Sequence, residues 1–218
     1  MLDAEPVVYE CAQGGEHWHQ LRAGAITASM FADARSRLKS GKEKGQPTTK
    51  ARDYAFRLAI ERISRDPLDE GFQTYQMRRG NDLEPEAREL HAFRHNLDIE
   101  HAGFVLTADG RFGCSADGLI GDDGGSEYKC FVSPEKLRPI LLEHDTSTVV
   151  DQVQGCLWIT GRQWWHFALY CPALESIGRE LTVIEMQRDD DYIEALESDL
   201  VEFDRLVNEY EAVLRAAE

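Results

Sequence analysis

The residues of this sequence that are best suited to chemistry lie close together between positions 115 and 130, in the stretch SADGLIGDDGGSEYKC. Glu127 and Lys129 are two residues apart, so in a β-strand their side chains lie on one face while Tyr128 lies on the other. The glycine-rich turn before them folds the chain back, which brings Asp117 within reach of the same cation as Glu127. Two carboxylates, a backbone carbonyl and waters form a ligand set that suits Mg²⁺ or Mn²⁺.

The chemistry that such a site supports is hydrolysis at phosphorus. A bound cation lowers the pKa of its water and offsets the charge of a phosphorane-like transition state. Lys129 then has a task, which is to hold or polarise the attacking water. The same residues also fit a surface hairpin that carries a Glu–Lys ion pair, so the interpretation depends on the rest of the chain.

Two more side chains complete a pattern. Apolar residues at helical spacing predict a helix over 82–96 that begins after RRGND, so Glu84 falls in its first turn, where the helix dipole favours a carboxylate. Gln152 lies on a second predicted helix, TVVDQVQGCLWIT, which Gly161 ends. Taken singly, these are a capping acid and an exposed amide. Taken in order with Asp117 and the Glu-x-Lys strand, they follow the nuclease arrangement written PD-(D/E)XK, with Ala116 in place of the proline.

A sheet and several helices must position these side chains. Short β-rich runs over 102–132 predict a three-stranded antiparallel meander, with turns at Asp109-Gly110 and at 122–125. A helix is predicted over 49–64, and WWHFALYC and LTVIEM read as further strands. The fold class is therefore α/β (α+β), with a mixed β-sheet flanked by helices.

A long C-terminal helix is predicted from an apolar stripe that steps by three and four residues. The stripe consists of Ile193, Leu196, Leu200, Phe203, Val207, Tyr210 and Leu214. Packing of this stripe onto the domain's own sheet is the interpretation that we favour. A seam between subunits is the alternative.

The composition is that of an ordinary globular chain. Its 218 residues, 42% hydrophobic and 29% charged, are enough for one core, so we predict a single domain over 1–218. No apolar run approaches the roughly 18 residues of a membrane span, and the N-terminus has no basic leader before an apolar segment. We therefore expect an intracellular protein with no membrane partner. Five cysteines without CxxC spacing indicate neither a disulfide framework nor a zinc site.

The net charge of −16 argues at first against binding to nucleic acid. The distribution of charge is uneven, however. Seven basic residues and one acid lie between positions 35 and 52, whereas fourteen acids and four arginines lie from position 175 to the end. A basic segment that lines a concave surface can bind a polyanion while the acids face elsewhere. A solvated loop is the alternative for this segment.

The chain resembles a known family, the phage lambda exonuclease type of viral recombination nuclease, also called YqaJ-like. Four blocks carry the resemblance in the family's order, namely WHQLRAGAITAS, RGNDLEPEARELHAF, CSADGLIGDDGGSEYKC and DQVQGCLWITGRQWWHFALYCP. They cover most of the chain, and the resemblance implies a restriction-endonuclease-like core. Phe131, where the family often has proline, and the DDGGS turn are departures that touch no proposed ligand.

The resemblance implies a metal site with two positions for Mg²⁺. Mn²⁺ would be able to substitute for Mg²⁺ there. Asp117, Glu127 and the backbone carbonyl of Tyr128 would hold one ion. Glu84 would serve the second position.

The resemblance also assigns the polar residues around that site. Lys129 would orient the nucleophilic water, with Gln152 in support. Arg22 would contact the 5′-terminal phosphate of the degraded strand, with Ser29 and Ser115 beside it. A guanidinium fork with hydroxyls is a sensible phosphate pocket on physical grounds, although Arg22 also fits a plain surface position.

The implied activity is processive, Mg²⁺-dependent 5′→3′ digestion of linear double-stranded DNA from a free 5′ end. The products would be 5′-mononucleotides and a 3′ single-stranded tail for recombination by strand annealing. The implied partners are a single-strand annealing protein and two further copies in a homotrimer ring. In such a ring, basic loops could line the channel while the acidic exterior stays off the DNA. The implied location is the cytoplasm of a bacterial host, with a phage or prophage origin.

Other functions also fit the residues. The same metal core serves an endonuclease or a junction resolvase, because the fold does not encode whether an end is needed. A catalytically silent DNA-binding or annealing module is a further alternative, but carboxylates near phosphate weaken binding unless a cation intervenes. A glycosidase-like carboxylate pair would leave Lys129 and the Arg22 block unexplained.

Overall fold

A computed structural model describes residues 5–68 and 74–216. The helices are α1 (Glu16–Arg22), α2 (Phe31–Ala34), α3 (Thr49–Ser64), α4 (Tyr75–His95), α5 (Pro134–Glu143), α6 (Val150–Thr160) and α7 (Asp190–Ala216). The strands are β1 (Val7–Tyr9), β2 (Ile26–Thr27), β3 (Ile99–Glu100), β4 (Phe104–Leu106), β5 (Phe112–Cys114), β6 (Gly118–Ile120), β7 (Gly124–Lys129), β8 (Trp164–Tyr170) and β9 (Leu181–Gln187). Within these ranges, no helix combines the length and the apolar character needed to cross a membrane.

The strands form two mixed sheets, so the predicted fold class is confirmed, but with two sheets where one was expected. The first sheet has the order β1-β4-β5-β2, and the second has the order β3-β6-β7-β8-β9. In the second sheet β6 and β7 are antiparallel, whereas β7 and β8 are parallel. The strand that carries Glu127 and Lys129 therefore lies at the centre of the larger sheet.

The predicted three-stranded meander is wrong in its connections. The structure has two separate hairpins over this range, β4–β5 in the first sheet and β6–β7 in the second. Residues 115–117 belong to no strand, and the chain passes from one sheet to the other through them. Alternation along a strand shows which faces are buried but not which partner the strand takes, so the pattern could not separate the two sheets.

The helix that carries Glu84 begins earlier than predicted. It starts at Tyr75 and continues through Gly80 and Pro85, so Glu84 lies in its middle and not in its first turn. Pro85 has no N–H for the carbonyl of residue 81, and Gly80 weakens a helix by roughly 1 kcal/mol. The predicted start rested on the helical spacing of Leu83, Ala87 and Leu90, which gives no information about the turns before it. The helix-dipole argument for Glu84 therefore does not apply.

The central sheet is covered on both faces. Tyr128 packs with Ala87 of α4 and with Ala168 and Tyr170 of β8 in one apolar cluster. The main core contains Phe167 and Leu169 of β8 together with residues of α3, α6 and α7. Tyr128 therefore faces α4, while its neighbours Glu127 and Lys129 face the other way, as the alternation along β7 predicted.

The C-terminal helix packs on its own chain. Ile193, Leu196, Leu200, Phe203 and Val207 are buried in the main core, and Tyr210 and Leu214 are partly buried against it. The principal contacts are with α3 and α6. The favoured intramolecular packing is confirmed, although the stripe meets mainly helices and not the sheet.

The basic segment after α2 forms a loop closed like a hairpin. Arg37 and Pro47 form a β-bridge, and the amide of Leu38 donates to the carbonyl of Gln46 at 2.9 Å. Arg35 forms ion pairs with Asp151 and Asp199, and Arg37 pairs with Glu202. Two of the basic residues in the segment predicted to face DNA, Arg35 and Arg37, therefore attach this loop to α6 and α7.

His91 of α4, Tyr128 of β7 and His166 of β8 form a chain of hydrogen-bonded side chains between the helix and the sheet. His91 is fully buried, its Nδ1 lies 2.8 Å from the Tyr128 hydroxyl, and its Nε2 lies 3.0 Å from Nδ1 of His166. Burial lowers the pKa of His91 to about 4, with smaller contributions from His166 and His95. Because both ring nitrogens already have partners and the site is buried, His91 stays neutral in the folded protein at neutral pH.

Acidification should therefore destabilise the protein through His91. Between about pH 6.5 and about pH 4 the unfolded chain binds a proton at this residue that the folded chain does not, so stability falls as pH falls. The loss from this one group is at most about 3 kcal/mol. In His91→Phe, denaturant unfolding from pH 7 to pH 4 should show a shallower pH dependence. The exposed His144→Phe is the control, and an unchanged slope in His91→Phe would contradict the assignment.

Candidate active site

One cleft of about 480 Å³ brings together every residue that the sequence proposed for the site. These residues are Arg22, Ser29, Glu84, Ser115, Asp117, Glu127, Tyr128, Lys129 and Gln152. They come from α1, the turn after β2, α4, the crossing at 115–117, β7 and α6. Residues far apart in the sequence thus share one concave surface, as expected of a functional site.

The hairpin β6–β7 places Asp117 against the middle of β7. Oδ2 of Asp117 accepts a 2.7 Å hydrogen bond from the Tyr128 amide, and the Asp117 amide donates to the carbonyl of Ser126 at 3.2 Å. The close pairing requires a glycine next to Asp117. A Cβ at Gly118 would lie 2.6 Å from the Ser126 hydroxyl oxygen and 2.4 Å from Ile99.

Glu127 and Lys129 form an ion pair along the same face of β7. Nζ of Lys129 lies 2.5 Å from Oε1 of Glu127, whose side chain is almost fully buried. The other oxygen, Oε2, is buried and has no hydrogen-bond partner among the residues that the structure describes. A buried carboxylate oxygen without a partner is costly, so the environment of this atom suits a positively charged ligand.

The carboxylates of the cleft shift each other's pKa values. Burial, followed by the nearby Glu127 and Glu84 carboxylates, raises the pKa of Asp117 well above its usual range. Burial also raises the pKa of Glu84, although Arg88 opposes the shift. For Lys129, burial would lower the pKa, but the Glu127 and Asp117 carboxylates outweigh it and raise the pKa.

These features fit a divalent cation. Two carboxylates that repel each other, with one buried oxygen left unpaired, become favourable once a cation lies between them. The preformed set is small, however. Across the ranges that the structure describes, no group of three or more His, Cys, Asp or Glu side chains is arranged to hold a metal. Glu84 lies in the same cleft, but its Oε1 accepts a hydrogen bond from Arg88.

A second feature of the cleft is a pocket for an anion around Arg22. The Arg22 guanidinium lies over the Trp18 ring, 4.1 Å from its centroid, and Nη2 lies 3.5 Å from the Thr27 hydroxyl. The Thr27 and Ser29 hydroxyls are 3.4 Å apart, and the Ser115 hydroxyl accepts a 2.8 Å hydrogen bond from the Trp18 indole. The three predicted phosphate contacts are therefore neighbours.

Arg22 is a cation without an anion. Burial lowers its pKa to about 10, with Tyr54 and Glu61 partly offsetting the effect, so the side chain remains charged at neutral pH. In the portion of the chain that the structure describes, no carboxylate forms an ion pair with it. A desolvated guanidinium that stacks on Trp18 and is surrounded by hydroxyls is prepared for a phosphate group.

The structure adds cleft residues that the sequence interpretation missed. Trp18 and Thr27 contact Arg22, and Asn81 and Lys136 also line the cleft. The spacing of four between Trp18 and Arg22 on a helix could have revealed their contact. Lys136 was missed because α5 was not predicted, although Ser133 followed by Pro and Glu is a helix-start signal.

The fold and the cleft together have the architecture of a nuclease. Residues 17–163 match the family model described as the YqaJ-like viral recombinase domain. The chain belongs to this family, which confirms the resemblance found in its sequence. No curated protein sequence matches the chain.

Solved structures support the same placement. An alkaline exonuclease from Laribacter hongkongensis superposes with a TM-score of 0.76 and 28% identity, covering 92% of this chain and 97% of the other. The structure of that enzyme in complex with dAMP gives a TM-score of 0.78 and 27% identity over the same shares. A phage-related exonuclease from Haemophilus somnus shares the fold, with a TM-score of 0.61, 17% identity, and coverage of 88% and 95%. Family and fold thus support a nuclease role.

If the Asp117 and Glu127 carboxylates bind a cation, the binding should raise the stability of the folded protein. Mg²⁺ should raise the thermal unfolding midpoint of the wild type but not of Asp117→Asn. In EDTA, Asp117→Asn should unfold a few degrees higher than the wild type, because it removes a buried like charge. About 1 kcal/mol corresponds to roughly 2–4 °C in a chain of this size.

Asp122→Asn is the matched control for that experiment, since Asp122 is exposed in the turn of the same hairpin. It should keep the Mg²⁺ response of the wild type. An equal response in Asp117→Asn would mean that the cation binds elsewhere.

Proposed function

We propose that the protein is a Mg²⁺-dependent exonuclease that degrades linear double-stranded DNA processively in the 5′→3′ direction. It releases 5′-mononucleotides and leaves a 3′ single-stranded tail for recombination by strand annealing. The observation that carries this proposal is the cleft itself. It joins the Asp117 and Glu127 carboxylates to a charged Arg22, for which the described residues supply no ion-pair partner.

In the proposed site, Asp117, Glu127 and the carbonyl of Tyr128 hold one Mg²⁺, and Glu84 serves a second position. Mn²⁺ takes the same place, because both ions prefer oxygen ligands. When bound, the metal supplies an activated water and offsets charge on the phosphate. The unpaired Oε2 of Glu127 and the raised pKa of Asp117 support this assignment.

In this proposal Lys129 acts as a hydrogen-bond donor. Burial alone would lower the pKa of its ammonium group, but the Glu127 and Asp117 carboxylates raise it, which favours the charged form. Held against Glu127, it orients the water and stabilises negative charge on the phosphate oxygens. The amide of Gln152, which lines the same cleft, supports that water.

The Arg22 pocket gives the proposal its direction. Arg22, Ser29 and Ser115 would bind the 5′-terminal phosphate, and Asp117 and Glu127, which line the same cleft, would act on the next phosphodiester. One nucleotide at a time would then be removed from the 5′ end. The similar Laribacter exonuclease has been solved in complex with dAMP, a deoxynucleoside monophosphate, which supports the proposed product.

The proposed partners follow from the family and from the charge distribution. A homotrimer ring would surround the duplex, and a single-strand annealing protein would receive the 3′ tail in the cytoplasm of a bacterial host. Arg35 and Arg37 are occupied by acids, so the channel would rely on Lys39, Lys42 and Lys44. These three lysines are exposed in the loop, and no carboxylate pairs with them in the ranges described. The acidic exterior would discourage capture at random DNA sites.

The first experiment digests a linear duplex that has a 5′-phosphate on one strand and a 5′-hydroxyl on the other. With Mg²⁺, the phosphorylated strand should shorten preferentially to mononucleotides, and EDTA should abolish the reaction. A covalently closed circle should remain intact because it has no end. Denaturing gels and chromatography of the products measure each outcome.

Asp117→Ala should reduce the rate at least a hundredfold, and Asp122→Ala in the nearby turn should not. If the closed circle is cut, the protein is an endonuclease or a junction resolvase and not an exonuclease. Retention of DNA without cutting, by an intact folded wild type, would leave only a binding module.

Substitution of Arg22 tests the phosphate pocket separately from the chemistry. Arg22→Met should lower kcat/KM on the 5′-phosphorylated duplex by about 10- to 100-fold, the range expected for losing a charged hydrogen bond of about 1.5–3 kcal/mol. Activity on the 5′-hydroxyl duplex should change little, and Arg22→Lys should retain part of the preference. Arg215→Met, at an exposed arginine of α7, is the control. An equal loss on both duplexes would show that Arg22 has only a structural role.

A further inference from the structure

Arg88 is a buried arginine that the sequence interpretation left without a role. It lies on α4, one turn after Glu84, and only 9% of the residue is exposed. A buried arginine is rare in globular proteins unless it has specific partners. Its contacts therefore show what it holds.

Three partners surround the Arg88 guanidinium. Nη2 donates to Oε1 of Glu84, Nη1 lies 2.7 Å from Nε2 of His101, and Cζ lies 5.9 Å from the centroid of the Tyr128 ring. The partners come from α4, from the segment after β3, and from β7. The guanidinium is thus fixed by groups on three different elements, and it fixes the Glu84 carboxylate in turn.

This arrangement gives the two oxygens of Glu84 different environments. Oε1 is occupied by Arg88, and the side chain as a whole is 25% exposed where it lines the cleft. Glu84 is not part of a preformed cluster of three ligating side chains among the residues described. Its contribution to a second cation position therefore depends on how Arg88 orients it.

We propose that Arg88 is a positioning residue for the second metal position, and that it acts only through the Glu84 carboxylate. By holding Oε1, it aims the remaining oxygen of Glu84 into the cleft that contains Asp117 and Glu127. It also limits repulsion among the three carboxylates before a cation binds. This inference rests on the proposed function, because it assumes that the cleft binds divalent cations for nuclease activity.

Removal of such an outer partner usually costs 10- to 100-fold in metal affinity or activity. Arg88→Met should therefore raise the Mg²⁺ concentration for half-maximal digestion by about tenfold or more, and leave KM for DNA near the wild-type value. Glu84→Gln should do the same, and Arg88→Lys should restore part of the response because it keeps the charge. Calorimetric titration with Mn²⁺, without DNA, should show the matching loss of affinity.

Arg94→Met is the matched control. Arg94 lies on the same helix and pairs with the buried Glu180, so its removal breaks a comparable ion pair outside the cleft. It should lower the unfolding midpoint without changing the Mg²⁺ or Mn²⁺ response. If Arg94→Met shifts the metal response as much as Arg88→Met, the effect is one of general stability and the proposal is wrong.

A double-mutant cycle decides whether Arg88 acts through Glu84. In the Glu84→Gln background, Arg88→Met should cause no further change in the Mg²⁺ requirement. Additive effects would overturn the proposal, as would a wild-type metal response in Arg88→Met. If Arg88→Met does not fold, Arg88→Lys carries the same comparison.

The two proposals fail in different ways. A wild-type protein that neither binds Mn²⁺ nor digests DNA contradicts the proposed nuclease function itself. An active wild type whose metal response is unaffected by Arg88 substitution contradicts only the role of Arg88.

Discussion

The repulsion between the Asp117 and Glu127 carboxylates at the C-terminal end of β7 is the constraint on which the cleft depends. Burial and mutual repulsion raise the pKa of Asp117, and one oxygen of Glu127 is left without a partner. The single ammonium of Lys129 offsets only part of this charge. A fold optimised for stability alone would not keep such a group of charges, so the cost indicates a function that needs them. In the proposed function, a cation would offset this cost and use the same geometry for chemistry.

The two faces of β7 have different surroundings, since one lines the cleft and the other packs against α4. Glu127 and Lys129 face the cleft, whereas Tyr128 between them is held from the opposite side by His91 and lies near Arg88. The backbone of Tyr128 is fixed by the pairing of β7 with β8, and its side chain is anchored by His91 on the α4 side. The amide of the same residue is held by Asp117. Helix α4 therefore supports β7 from the face opposite Glu127 and Lys129.

Much of the site could be predicted from the sequence, but from different sources. The alternation of Glu127, Tyr128 and Lys129 followed from strand geometry alone. The grouping of Arg22 with Ser29 and Ser115 came from the family resemblance, because no local periodicity links a residue at the end of α1 to one that follows β5. Their roles remain predictions that the experiments above test. The division of the strands into two sheets could not be foreseen, since pairing depends on contacts distant in sequence.

The errors and omissions share a physical cause. The start of α4 was placed too late because the apolar spacing begins at Leu83, whereas the helix, which packs against the sheet, continues back through Pro85 and Gly80 despite their local costs. Arg88 and His91 escaped attention because buried polar residues look like surface residues in a sequence. Only the fold shows that both face Tyr128 and not solvent. Local signals thus pointed to the residues that are proposed to react, whereas the groups that support them are defined by tertiary contacts. A search for function that stops at the reacting residues would therefore miss the part of the site that sets their geometry.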